Sequence, residues 1–125
     1  MRLGVVSDIH GNLVALDAVV DDMPSVDGVV NAGDVVGYNP WPAECVAAVR
    51  ERSMPTVMGN HDRAVARSGV VRFNAMANAG VEYAREQVPD EALSCPAGLP
   101  DRRSVAYGRM RVAHGHLDDP NRNTH

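Results

Sequence analysis

The residues best suited to metal chemistry follow the first apolar run of the sequence, Leu3 to Val6. Asp8 and His10 follow this run after Ser7, with one residue between them. Side chains two positions apart on extended backbone point the same way, so these two are predicted to project together beyond a strand. A carboxylate and an imidazole held in this way can chelate a divalent transition metal. A plain turn from strand to helix, with Gly11 at the bend and Asn12 as the cap, explains the same residues without a metal.

Three later segments also place polar residues directly after apolar runs. They are Gly33-Asp34, Gly59-Asn60-His61-Asp62 and His114-Gly115-His116. Taken singly, each is explained as a turn, a loop or an ordinary polar histidine. Taken together in chain order, four such segments are better explained by one shared site than by separate coincidences.

A β-α-β unit is the element that would gather these segments. Residues 13–23 repeat apolar side chains at helical spacing, between one predicted strand at 3–6 and a second at 26–31. Strands joined by such a crossover run parallel, so their carboxyl ends lie on one edge of the sheet. Asp34 is therefore predicted to arrive near Asp8 and His10.

The remaining sequence alternates predicted helices and strands, which is typical of an α/β protein. The predicted elements are a helix from Pro42, a third strand over 53–58, a short helix over 62–67, a helix over 74–88, an irregular stretch over 90–100, and two hairpin strands over 104–107 and 110–113. Arg102 and Arg103 are predicted to form a solvated charge pair before the hairpin. Trp41 is predicted to pack at the start of the second helix, with contact to substrate as the alternative.

Composition limits the kinds of partner. The chain has 125 residues, room for one domain, and a formal net charge of −4, which gives no general attraction to nucleic acid or to anionic membranes. No apolar run reaches the roughly 20 residues of a membrane span, and the N-terminus leads straight into a strand, so a cytoplasmic protein is expected. Cys45 and Cys95 are predicted to be reduced thiols with a packing role.

The four segments resemble the calcineurin-like metallophosphoesterase superfamily, whose motifs run D-x-H, G-D-x-x-G, G-N-H-D/E and H-G. The motif sequences at residues 7–12, 33–38 and 59–62 are most similar to those of the small prokaryotic phosphodiesterase branch. The resemblance extends through nearly the whole chain and implies a single metallophosphoesterase domain over residues 1–125. It also implies a two-sheet sandwich with flanking helices, of which this chain would supply the first sheet and the start of the second. An uncovered sheet edge would then favour association of copies into a homo-oligomer.

The resemblance also implies a ligand set and a reaction. Asp8 and His10 would bind one metal ion, Asn60 and His114 a second, and Asp34 would bridge them. Two such ions together bind a phosphoryl oxygen and acidify a water, and this donor set suits Mn²⁺, with Fe, Co²⁺, Ni²⁺ or Zn²⁺ as alternatives. His61 would stabilise the phosphoryl transition state or protonate the leaving oxygen, with Asp62 orienting it. The expected partner is a small phosphomonoester or phosphodiester.

The sequence departs from the family pattern at its end. The family continues to a Gly-His-x-His segment that completes both metal sites, and no such segment occurs here. We expect a C-terminally truncated chain, and the alternative is that His116 or His125 replaces a missing ligand. Two functions follow: a metal-dependent phosphoesterase, weakened by the lost ligands, or a remnant that acts as a metal-binding or assembly module.

Overall fold

The computed structural model describes residues 1–66, 75–89, 98–106 and 108–115. These residues form an α/β arrangement, as the sequence predicts. In chain order the elements are β1 (Leu3–Val6), α1 (Leu13–Asp22), β2 (Gly28–Asn31), α2 (Pro42–Glu51), α3 (Asn60–Ala66), α4 (Ala75–Gln87), β3 (Arg102–Val105) and β4 (Met110–Ala113).

The predicted β-α-β unit is confirmed. β1 and β2 pair in parallel, with Leu3 opposite Gly28 and Val6 opposite Asn31. The Asn12 side chain caps α1 by accepting a hydrogen bond from the Ala15 N–H at 3.1 Å. Both strands therefore end at the same edge, and the polar residues that follow them meet there.

The predicted third strand over 53–58 is wrong as a continuous strand. Only Thr56 forms a bridge, in parallel with Asn31. Pro55 has no N–H to donate to a ladder, and Ser53 has a left-handed φ of +50°, so regular pairing cannot extend toward the start of the segment. The segment still runs beside β2 in the same direction and carries residues 59–62 to the edge where β1 and β2 end.

The helices and the hairpin lie close to their predicted positions. α3 begins two residues before the predicted start, and the predicted boundaries at residues 67 and 74 lie outside the described residues. β3 and β4 pair antiparallel, which confirms the hairpin, but β3 begins at Arg102. Arg102 and Arg103 therefore lie inside a strand and not before it. Most of the stretch predicted to be irregular, residues 90–97, also lies outside the described residues.

The main core lies between the β1–β2 sheet and the helices. Its fully buried side chains include Val36, Cys45 and Val81. Burial raises the pKa of the Cys45 thiol to about 12, with smaller contributions from two nearby carboxylates, so the thiol stays protonated and packs as an apolar group. Cys95 lies outside the described residues. In the described parts of the chain, no helix combines the length and apolar character that a bilayer span requires.

Candidate metal centre

Asp8 and His10 converge for a different reason from the predicted one. β1 ends at Val6, and both residues have left-handed φ angles, +56° and +47°. Their backbone N–H groups donate to the carbonyls of Gly33 and Asp34, each at 2.9 Å, which holds this loop against the next one. The side chains nevertheless meet, with His10 Nε2 3.4 Å from Asp8 Oδ1. The two side chains therefore converge because hydrogen-bonded turns direct them, and not because side chains alternate along a strand.

Asp34 lies at the centre of the cluster. It is 2% exposed, and its Oδ1 accepts a hydrogen bond from the His61 N–H at 2.9 Å. Its Oδ2 lies 3.6 Å from His10 Nε2 and 3.4 Å from His114 Nε2. Burial alone would raise the pKa of Asp34, but the hydrogen bond and charge of His114, aided by the His61 N–H and by His10, hold it below its ordinary value. Asp34 therefore presents a carboxylate between two imidazoles.

The two imidazoles that face Asp34 are oriented by backbone carbonyls. His10 Nδ1 lies 3.2 Å from the Val36 carbonyl, and His114 Nδ1 lies 2.9 Å from the Ala32 carbonyl. A carbonyl only accepts, so each Nδ1 must carry the proton and donate it. The hydrogen bond to Asp34 raises the pKa of His114 to about 9, so without metal its Nε2 also carries a proton and donates it to Asp34. Loss of that proton to a metal ion, or the neutral tautomer of His10, leaves a lone pair on the Nε2 that faces Asp34. Metal-ligating histidines are commonly fixed in this way, so the donor set fits a metal site.

Two groups of three side chains could each hold a metal ion. One group is His10, Asp34 and His61, and the other is Asp8, Asp34 and His114; within each, the ligand atoms lie within 4.8 Å of one another. Asp34 belongs to both groups, which is the arrangement a bridging carboxylate needs. These two groups place His10 with His61 and Asp8 with His114, and the predicted pairing of Asp8 with His10 on one metal stays a prediction.

Asn60, another predicted ligand, lies next to a close contact between Gly59 and Asp34. It is the first residue of α3 and is partly buried, directly after Gly59. Gly59 packs against Asp34 so closely that a Cβ there would collide with the Asp34 carboxylate. The role of Asn60 as a ligand, and of His114 as its partner on one metal, therefore stay predictions.

His61 lies beside the cluster in a mostly buried position. Its ring centroid is 4.7 Å from that of His10 and 4.9 Å from that of Tyr38. Burial lowers the pKa of His61, more than the nearby Asp34 carboxylate raises it, so the neutral imidazole is favoured. A neutral ring can still donate one N–H, which suits a group that contacts a phosphoryl oxygen.

Asp62 has a structural task that the sequence did not reveal. It was predicted to orient His61, but all four of its described hydrogen bonds come from backbone N–H groups. Asp62 Oδ2 accepts from Asp34 at 2.8 Å and Gly59 at 3.0 Å, and Oδ1 accepts from Val35 at 2.8 Å and Val36 at 3.2 Å. The contact with Gly59 resembles a capping box, in which the side chain of the third helical residue accepts from the backbone N–H of the cap residue. The position of Asp62 three residues after Gly59 is the sequence pattern that could have predicted this hydrogen bond. Complete burial raises the pKa of Asp62 to about 6, although these hydrogen bonds lower it.

Gly37 is the residue that leaves room for the His61 ring. A Cβ at Gly37 would lie 2.6 Å from His61 Nδ1, and its φ is +104°. We expect Gly37→Ala to displace the His61 ring and to destabilise the fold by about 2 kcal/mol, because it adds this contact to backbone strain. Urea unfolding would measure the destabilisation, and the NMR resonances of the His61 ring would report its displacement.

Gly108 offers a matched control for that variant. Its φ is +81°, but nothing lies within 4 Å of a Cβ built there. Gly108→Ala should therefore carry the backbone strain alone and leave the His61 ring resonances unchanged. Equal losses of stability and equal changes of the His61 resonances in the two variants would show that Gly37 does not act through His61.

Comparisons with known proteins agree with this arrangement. A sequence model of the calcineurin-like phosphoesterase family matches residues 1–124. The chain is 34% identical over 101 residues to the uncharacterized protein MJ0912 of Methanocaldococcus jannaschii. The matching region covers 78% of this chain and 42% of that protein.

Two solved structures extend the comparison to the fold. A metallophosphoesterase from Sphaerobacter thermophilus superimposes with a TM-score of 0.82 at 39% identity, covering 98% of this chain and 50% of that one. The hypothetical protein PH1004 of Pyrococcus horikoshii OT3 shares the fold with a TM-score of 0.78 at 17% identity, covering 98% of this chain and 57% of that one. The chain thus spans about half the length of these relatives. From the family match and the 39% identity, the chain belongs to the calcineurin-like phosphoesterase family.

Proposed function

We propose that this chain hydrolyses a phosphomonoester or phosphodiester with two divalent metal ions, most readily Mn²⁺. The observation that carries the proposal is the shared Asp34 carboxylate, which faces the Nε2 atoms of His10 and His114 while the Nδ1 atoms of both rings are held by backbone carbonyls. Family membership supports metal-dependent phosphoester hydrolysis in general. The residues that would hold the ions are Asp8, His10, Asp34, Asn60 and His114.

The protein side chains divide the work around the ions. When bound, such ions neutralise charge on the phosphoryl oxygens and acidify a water for attack on phosphorus. Asp34 supplies a negative charge common to both ligand groups, and its burial keeps that charge poorly screened by solvent. His61, held by its backbone hydrogen bond to Asp34, places its ring beside His10, where it can donate an N–H to a phosphoryl oxygen or to the leaving oxygen.

Metal should be required for turnover and should bind loosely. The proposed ligands give each ion only three protein donors, which are Asp8, His10 and Asp34 for one ion and Asp34, Asn60 and His114 for the other. We therefore expect the chelator-treated chain to be inactive on an aryl phosphodiester and its monoester, and to gain activity as Mn²⁺ is added. Metal binding without turnover of any phosphoester would instead favour a metal-binding or assembly module.

His61→Ala separates chemistry from metal binding. We expect kcat to fall roughly 100-fold, the usual scale for removing an acid or an oxyanion donor, while the bound Mn²⁺ stays near the wild-type amount. Turnover of the aryl phosphodiester and elemental analysis of the purified protein measure the two quantities. His61→Gln, which keeps a donor of similar reach, should retain more activity than His61→Ala. Unchanged turnover in His61→Ala with metal still bound would remove His61 from the mechanism.

A further inference from the structure

Three exposed aromatic side chains surround the loop that borders the metal centre. The sequence contains five aromatic residues, and Tyr38, Trp41 and Tyr83 are 43%, 38% and 38% exposed. Trp41 is partly covered and partly exposed, so its predicted packing at the start of α2, with contact to substrate as the alternative, stays a prediction. The Tyr83 hydroxyl donates to the Pro40 carbonyl at 3.2 Å, which brings α4 to the same loop. We call this set, Tyr38, Trp41 and Tyr83, the aromatic ledge.

Tyr38 connects the ledge to the metal centre. Its ring centroid lies 5.0 Å from that of His10, nearly perpendicular at 84°, and 4.9 Å from that of His61. The ring therefore contacts one side chain that would bind metal and one that would contact the phosphoryl group. The residue is 43% exposed and lines a groove together with Asp8 and His10.

The backbone of Tyr38 is held in place from two sides. The next residue, Asn39, donates its N–H to the His10 carbonyl at 3.1 Å. On α4, Gly80 approaches so closely that a Cβ there would lie 2.5 Å from the Tyr38 nitrogen. The fixed backbone and the contacts of the ring with His10 and His61 restrict the side chain, so it loses little freedom when a ligand stacks on it, which favours binding.

A groove beside Tyr38 has room for the organic part of a phosphoester. It has a volume of about 360 Å³ and is lined by Asp8, His10 and Tyr38 together with apolar side chains that include Ile9, Leu16 and Val19. This volume is in the range of small-molecule sites and accommodates a single ring system. The net charge of −4 gives no general attraction to a nucleic-acid polymer.

We propose that Tyr38 is a specificity residue and that the substrate is a phosphoester whose organic group carries a planar aromatic ring, such as a nucleobase or an aryl group. This inference rests on the proposed function, because the phosphoryl group must lie at the metal centre. The aromatic ring of the ester stacks on the exposed face of Tyr38 and enters the groove. Aromatic stacking of this kind contributes enough to change affinity about tenfold.

Binding of two phosphonates to the 125-residue chain with added Mn²⁺ tests the proposal without requiring hydrolysis. Benzylphosphonate and cyclohexylmethylphosphonate have similar size and charge, and only the first has an aromatic ring. We expect calorimetric titration to give an affinity for benzylphosphonate about tenfold higher. Tyr38→Leu should bring the two affinities to within about twofold, whereas Tyr38→Phe should keep the wild-type preference.

The outcomes separate this inference from the proposed function. If neither phosphonate binds, if the wild type shows no preference, or if Tyr38→Leu weakens both phosphonates equally, the specificity role is overturned. In the last case Tyr38 only positions the histidines. If benzylphosphonate is preferred but neither benzyl phosphate nor dibenzyl phosphate is hydrolysed, the aromatic subsite stands and the proposed hydrolysis fails.

Discussion

Asp62→Asn should lower the free energy of unfolding by about 3 kcal/mol or more, although the side chain keeps its shape. Both carboxylate oxygens of Asp62 accept two backbone N–H groups. Whichever way the asparagine amide turns, its NH₂ group faces two buried donors and accepts from neither. Leaving buried donors unpaired costs about 1–3 kcal/mol each. Urea unfolding followed by circular dichroism measures the loss.

Asp21→Asn provides the control for that experiment. Asp21 is exposed near the end of α1, so the same chemical change there should alter the free energy of unfolding by less than about 0.5 kcal/mol. The Asp62 variant should also bind less Mn²⁺, because its four donors lie in the loops that carry Asp34 and Gly59. Wild-type stability in Asp62→Asn would contradict the assigned role of this carboxylate.

Asp34→Asn should instead leave the fold intact while it weakens metal binding strongly. One oxygen of Asp34 accepts from the His61 N–H, and the other faces two imidazole nitrogens. An asparagine can turn its carbonyl oxygen to His61 and its NH₂ group to the imidazoles, which satisfies both sides. Its NH₂ group cannot bind metal, however, and the shared negative charge is gone. We expect affinity for Mn²⁺ to fall more than about 100-fold, beyond the usual cost of altering a group outside the ligands.

Asn60→Ala is the comparison for this variant. It removes a predicted ligand of one ion only, so it should retain more Mn²⁺ than Asp34→Asn does. Elemental analysis and calorimetric titration of both purified variants would decide the order, with circular dichroism to establish that each is folded. Equal metal content in the two variants would show that Asp34 is not shared between two ions.

The sequence predicted which polar residues meet, because parallel strands joined by a helix end at one edge. Asp8, His10, Asp34 and His114 are brought together there, as the geometry of two strands and a hairpin requires. Residues 53–58 show where the same reasoning fails. Their apolar pattern resembles a strand, but Pro55 and the left-handed Ser53 allow a single bridge.

Details set by loop backbone could not be predicted in the same way. A left-handed turn at Asp8 depends on hydrogen bonds to residues 25 positions away, and no local pattern encodes such a partner. Asp62 is similar, since three of its four donors come from residues 34–36. Because Asp62 is adjacent to His61 in the sequence, it was expected to orient that ring. In the fold its carboxylate instead accepts from backbone N–H groups.

The left-handed backbone of Asp8, His10 and Asp34 has a consequence for how such a site could decay. Each of these residues occupies a conformation that costs a side-chain-bearing residue about 1–2 kcal/mol and that glycine adopts freely. These three residues are thus present although glycine adopts their backbone conformation more readily. In a lineage released from selection for metal binding, glycine at the exposed Asp8 would be favoured by stability while it removed a ligand, whereas glycine at the buried Asp34 would leave the His61 N–H unpaired. Such a lineage would lose its metal chemistry through a substitution that strengthens the fold, so high thermal stability in a relative would not indicate a working site.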